Sequence, residues 1–146
     1  MAVAQLLTNR FVVALVVPLL LFLAGGFGKK LVRSEKNWHR KDWYLGVDAA
    51  LAAFSAALIY LFDVAGWFAL TPSFDPRLQV YTRQLAATGV FLALAFFLFL
   101  FVLGVHQNWE ASDNNSSAQW FWLIGVSNLI GLGLMFLFVL AVKGVT

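Results

Sequence analysis

Four long apolar runs constrain what this chain can fold into. They cover about residues 6–27, 43–70, 85–106 and 120–142, and polar segments separate them. A helix rises about 1.5 Å per residue, so roughly 20 apolar residues cross a hydrocarbon layer about 30 Å thick. The chain is 62% hydrophobic and 12% charged, which excludes an ordinary water-soluble domain. The sequence therefore predicts an integral membrane protein with little mass outside the bilayer.

The runs indicate helices rather than a barrel, because they lack the period-two alternation of transmembrane strands. We predict an all-α membrane protein, with residues 1–146 forming one domain of four transmembrane helices in an antiparallel up-down-up-down bundle. The first run also resembles a signal peptide, since Ala24-Gly25-Gly26 could serve as a cleavage site. Arg10 is the one basic residue ahead of the uncharged part of this run, 11–27, which favours a span instead.

The segment 29–42 carries six of the ten Lys and Arg residues. Cations next to spans stay on the cytoplasmic side, so we predict a cytoplasmic basic loop and both termini outside. The opposing side holds four cations, at Arg10, Arg77, Arg83 and Lys143. We expect the membrane to be the inner (plasma) membrane of a bacterium.

The same basic loop is a candidate binding surface, since each cation near an acidic bilayer gains about 1 kcal/mol. The simpler interpretation is a topology determinant with aromatic interface anchors. A nucleic-acid partner is disfavoured, because the loop is short and held at the membrane. The residues that we expect to bind anionic headgroups or a partner are Lys29, Lys30, Arg33, Lys36, Trp38, Arg40, Lys41 and Trp43.

Small residues four positions apart let membrane helices approach closely. The second run is richest in such steps, and the third and fourth runs each have one. They predict either packing within the chain or contact in a homo-oligomer or with a membrane partner. The residues concerned are Ala49, Ala53, Ala56, Gly89, Ala93 and Gly131.

Four polar side chains lie within or at the ends of the runs: Asp48, Asp63, Asn128 and His106. An acid inside a membrane is a functional-site hypothesis by default. Asp48 and His106 are expected at one depth, so they could form a hydrogen bond, although both could equally be interfacial residues. Asp63 lies deeper, and it is predicted either to pair with Arg10 or to line a pore.

The sequence lacks the constellations that carry catalysis. It has no cysteine, no Gly-rich phosphate loop and no paired histidines at metal-binding spacing. We therefore predict no enzyme activity, no cofactor and no metal. The favoured function is a non-enzymatic assembly subunit that associates with itself or a partner through the second helix and the basic loop. The alternative is an ion channel or proton-linked carrier with a polar path along Asp63, Asn128 and Asp48.

Overall fold

The computed structural model describes residues 9–33, 37–110 and 116–144. Within these ranges every regular element is helical, and no strand occurs. Helix α1 spans Arg10–Arg33, a short 3-10 helix spans Arg40–Trp43, α2 spans Gly46–Leu70 and α3 spans Arg77–Glu110. Helix α4 is continuous through three parts, Ser117–Trp120, a π-helical turn Phe121–Val126 and Ser127–Gly144.

All four long helices have the length and apolar composition needed to cross a membrane. The prediction of four long apolar helices is confirmed, but α1, α3 and α4 extend past their apolar runs, whereas α2 begins three residues inside its run, at Gly46. Helix α1 continues through Lys29 and Lys30, and α3 begins eight residues before residue 85, at Arg77. Lys, Arg and Gln are good helix formers, so a polar residue ends an apolar run without ending a helix.

Helix α2 lies between α3 and α4, and α1 packs mainly on α4. The core where α2, α3 and α4 meet is built from alanines and a few larger side chains. Its buried members are Ala50, Ala53, Ala57, Phe91, Ala95 and Leu134. Alanine lets backbones approach, and close packing supplies association between helices that hydrophobicity does not supply in lipid. Helix α1 has most of its large apolar side chains exposed, as expected of a helix that faces lipid.

The closest approach is between the start of α2 and the first half of α4. A Cβ atom added to Gly46 would collide with the side chain and backbone of Ser127. A Cβ atom on Gly131 would lie 2.7 Å from the carbonyl oxygen of Gly46 and 2.8 Å from the Cβ of Ala49. Both glycines are needed because a side chain at either position would overlap atoms of the facing helix.

The small residues singled out in the sequence divide between the inside and the outside. Ala49, Ala53 and Gly131 are buried between helices, and Ala56 is half-buried. Gly89 and Ala93 are exposed on α3, and a Cβ at Gly89 would meet no atom within 4 Å. The step on α3 therefore lies away from the contacts between helices in the part of the chain that the structure describes.

The π-helical turn lies directly before the α4 residues that meet α2. The backbone N–H of Ser127 donates to the carbonyl of Trp122, five residues back rather than four. A π turn takes up one extra residue and rotates everything after it. It thereby brings Ser127 and Asn128 to the side of α4 that faces the start of α2.

Candidate functional site

Four buried polar side chains and three charged partners nearer the surface gather where the segment between α1 and α2 folds back onto the helices. We call this group the loop-end cluster. It draws on α1, the 3-10 helix, α2, α3 and α4. Its members are Lys29, Arg33, Asp42, Asp48, His106, Ser127 and Asn128.

Asn128 joins α4 to the residues that lead into α2. Its Oδ1 accepts a hydrogen bond of 3.1 Å from the backbone N–H of Leu45, and its Nδ2 donates one of 2.7 Å to the carbonyl of Trp43. Only oxygen can accept from a backbone N–H, which determines the orientation of the amide. The side chain replaces the backbone partners that Trp43 and Leu45 lack between two helical segments.

Lys29 ties α1 to the start of α2. Its ammonium donates to the carbonyl of Tyr44 at 2.8 Å and forms an ion pair with Asp48 at 2.7 Å. The Lys29 and Asp48 side chains are 40% and 59% exposed, so the pair lies at the surface. One cation of the basic loop is therefore engaged within the chain.

Arg33 and Asp42 form a second link between α1 and the 3-10 helix. Arg33 Nη2 donates to Asp42 Oδ2 at 2.8 Å and to the carbonyl of Asn37 at 3.2 Å. Asp42 also accepts from the backbone N–H of His39 at 2.9 Å, and it is only 3% exposed. A carboxylate buried to this degree requires such partners.

Aromatic rings pack between α1 and the segment 38–43. Trp38 and Trp43 stack with centroids 5.3 Å apart, and Phe27 meets Trp38 edge-on at 5.1 Å. The Lys30 ammonium lies 4.2 Å from the Trp38 ring centroid, a cation–π distance. A Cβ on Gly26 would lie 3.2 Å from the Trp43 ring, so the missing side chain leaves room for the indole to pack on α1.

His106 pairs with Ser127, not with Asp48. Its Nε2 lies 3.0 Å from Ser127 Oγ, and its ring meets Tyr44 edge-on at 6.1 Å. The sequence placed His106 and Asp48 at one depth, and both line one cavity. Asp48 instead takes Lys29 as its ion-pair partner.

Three cavities open around the cluster. The polar cavity, of about 520 Å³, includes Lys29, Lys41, Asp48, His106 and Gln107 in its lining. The apolar cavity, of about 290 Å³, lies between α1, α2 and α4 and again borders Lys29 and Asp48. The aromatic cavity, of about 340 Å³, is lined by Phe22, Trp38, His39, Trp43, Trp120, Ile124 and Asn128.

Asp63 lies apart from this cluster, on the exposed side of α2. Across the described ranges it has no ion-pair partner, and the side chain of Arg10 lies outside the described part. The side chains of Lys36 and Arg40 also lie outside it. The three residues of the predicted polar path do not converge, because Asp48 and Asn128 line different cavities at the loop end and Asp63 lines none of the three.

Sequence reasoning missed the roles of Asp42, Ser127 and Gln119. Gln119 Nε2 donates to the carbonyl of Trp109 at 2.6 Å and so links α3 to α4. The adjacent polar pair Ser127-Asn128 inside an apolar run is the signal that could have pointed to a buried contact. Asp42 gave no signal, because an acid within a basic loop looks like a surface residue.

One serine and one histidine meet within the loop-end cluster. Ser127 touches His106, but it is 1% exposed and packed against Gly46, so its hydroxyl is not presented to a substrate. Among the described residues, no group of three His, Asp or Glu side chains lies close enough to hold a metal ion. No family model, no curated protein and no solved structure matches this chain.

Proposed function

We propose that this chain is a non-enzymatic subunit of a membrane protein assembly, and that it associates laterally through the exposed side of α2. We call this side the outer face; its residues are Ser55, Ile59, Phe62, Asp63 and Gly66. At 100° per residue they fall within one broad stripe. The stripe lies opposite the buried alanines Ala50, Ala53 and Ala57.

The observation that carries the proposal is the exposure of Asp63 on an otherwise apolar stretch. It lies seven residues, roughly 10 Å, before the end of α2 at Leu70. A carboxylate facing hydrocarbon is costly, and such residues normally face protein or water. A second helix packed on the outer face would shield Asp63, and Ser55 and Gly66 would let it come close.

The up-down arrangement of the helices and their orientation are part of this proposal. Two ring contacts support antiparallel packing of α2 and α3. Tyr44, just before α2, meets His106, and Trp67 near the end of α2 meets Tyr81. The cations of the basic loop support a cytoplasmic loop end, with both termini outside. Asp63 would then lie in the outer leaflet.

The test is the native mass of the full chain in mild detergent, which counts subunits. We expect the wild-type chain to be oligomeric and Ser55→Phe to shift it to monomer, because a ring at this position blocks close approach. Asp63→Asn should weaken the oligomer less. The matched control is Ala93→Phe, at an exposed small residue on α3, which should leave the mass unchanged.

A monomeric wild-type chain would contradict the proposal, and dissociation by Ala93→Phe alone would move the interface to α3. The channel alternative is favoured only if a ring of subunits surrounds Asp63. In that case Asp63→Asn would change cation flux into liposomes while the native mass stays the same.

A further inference from the structure

A single ion pair separates two cavities of opposite character at the loop end. Lys29 and Asp48 border both the polar cavity and the apolar cavity. The polar cavity opens beside Lys41, His106 and Gln107, and the apolar one runs between α1 and α2. A molecule that filled both would need a polar head and an apolar tail.

The polar cavity suits an anion. Two ammonium groups, those of Lys29 and Lys41, face one carboxylate, that of Asp48. Lys29 is already bonded to Asp48 and to Tyr44, whereas the ammonium of Lys41 has no hydrogen-bond or ion-pair partner in the part of the chain that the structure describes. Lys41 therefore offers a positive charge with its donors available, and the Gln107 side chain lines the same cavity.

The apolar cavity suits a hydrocarbon chain. Small residues, Gly25, Ala49 and Ala52, leave the space, and Leu21 and Met135 are among its walls. Its volume of about 290 Å³ exceeds the roughly 150 Å³ of an apolar cavity that accepts benzene. Inside a bilayer the acyl chain gains packing contacts there rather than hydrophobic free energy, because the surrounding lipid is already apolar.

We propose that the loop end binds one anionic phospholipid, with its phosphate in the polar cavity and one acyl chain in the apolar cavity. Lys41 and Lys29 donate to the phosphate oxygens. Asp48 keeps its bond to Lys29 and accepts from a headgroup hydroxyl, which favours a glycerol headgroup. Basic pockets between membrane helices hold anionic headgroups in this way. The headgroup contact at Asp48 lies about two helical turns before Ser55, and the site does not depend on lateral association.

Native mass spectrometry of the full chain tests the headgroup contact. Phosphatidylglycerol and phosphatidylcholine with identical acyl chains are added in turn, and retained lipid is counted per chain. We expect one phosphatidylglycerol to be retained in preference to phosphatidylcholine, and Lys41→Gln to weaken its retention about fivefold. The matched control is Lys30→Gln, which removes the same charge from a lysine that lies over Trp38 and outside the lining. Equal losses in the two variants would overturn the proposal in favour of nonspecific surface charge.

A second pair of variants tests the acyl chain. Ala52→Phe fills the apolar cavity and should reduce phosphatidylglycerol retention, whereas Ala93→Phe on exposed α3 should not. Ala52→Leu serves the same purpose if the larger variant does not fold. Soluble glycerol 1-phosphate should compete poorly, because it lacks the chain. Competition as strong as that of the lipid, or full retention by a folded Ala52 variant, would overturn the proposal and leave a free-anion site.

Discussion

At the loop end, Asn128 bonds to residues 83 and 85 positions away, and His106 to one 21 positions away. At the far end, around the turn between α2 and α3, the described side-chain hydrogen bonds join residues two or four positions apart. They link Thr71 to Trp67, Asp75 to Arg77, Thr82 to Leu78 and Thr88 to Gln84. The two ends are therefore held by different means.

Polar contacts therefore determine the mutual positions of the helices at the loop end, but not at the far end. A bond within one helical turn stabilises that turn, but it leaves neighbouring helices free to slide or rotate. A buried bond between distant residues is satisfied in only one arrangement, and losing it strands a polar group. The far end relies instead on ring contacts such as Trp67 with Tyr81.

The largest effect that would test this comparison is expected at Gly46. Gly46→Ala introduces a Cβ that collides with Ser127, so α2 and α4 must separate. We expect a loss of stability at or above the roughly 1–3 kcal/mol typical of overpacking. Gly89→Ala on α3 is the matched control and should be neutral or stabilising, since its Cβ meets open space. Thermal unfolding in one detergent measures both, and similar melting temperatures would show that the close approach is not required.

An intermediate effect is expected from Asn128→Leu. It removes both hydrogen bonds to the Trp43 and Leu45 backbone and leaves the Leu45 N–H buried without a partner. The free energy of unfolding should fall by about 1–3 kcal/mol. The matched control is Gln84→Leu at the far end, because Gln84 is also buried but its Oε1 has no hydrogen-bond partner among the described residues. Losing Gln84 should be nearly neutral. Chemical denaturation of the two variants compares them, and an equal loss would show that the two ends do not differ.

The smallest effect is expected from the two acids that pair with arginine. Asp42→Asn removes a charge that links two elements in a buried position, whereas Asp75→Asn breaks a local, exposed pair. We expect a larger decrease in melting temperature for Asp42→Asn, and a decrease for Asp75→Asn that disappears in high salt. The reverse order would contradict the comparison.

The Asp75–Arg77 pair should stabilise the protein less at acidic pH than at neutral pH. Hydrogen bonds from the Arg77 side chain and backbone hold the pKa of the Asp75 carboxyl below its ordinary value. The pair therefore makes its full small contribution to the free energy of unfolding above the pKa that Asp75 has in the unfolded chain. This contribution is lost as the pH falls through the lower pKa of the folded protein. The difference in melting temperature between wild type and Asp75→Asn should shrink in that acidic range and stay constant near neutral pH.

The four helices could be predicted from the sequence because their signal is the length of each apolar run, which needs no knowledge of neighbours. The loop-end cluster could not be predicted, since each of its bonds depends on how two or more helices meet. The six cations looked alike in the sequence, yet Lys29 and Arg33 form ion pairs and Lys30 lies on Trp38. Asp48 and His106 were expected at one depth and both line the polar cavity, but depth alone did not reveal their partners.

The π-helical turn in α4 changes how sequence positions map onto the faces of this helix. A helical wheel drawn with one period from Ser117 to Gly144 is wrong by about one residue, or 100°, on one side of Phe121–Val126. Deleting one residue there would restore a uniform helix and turn Ser127, Asn128 and Gly131 away from α2. A related chain without the extra residue would need a gap at this turn, near the start of a long apolar helix, to align correctly.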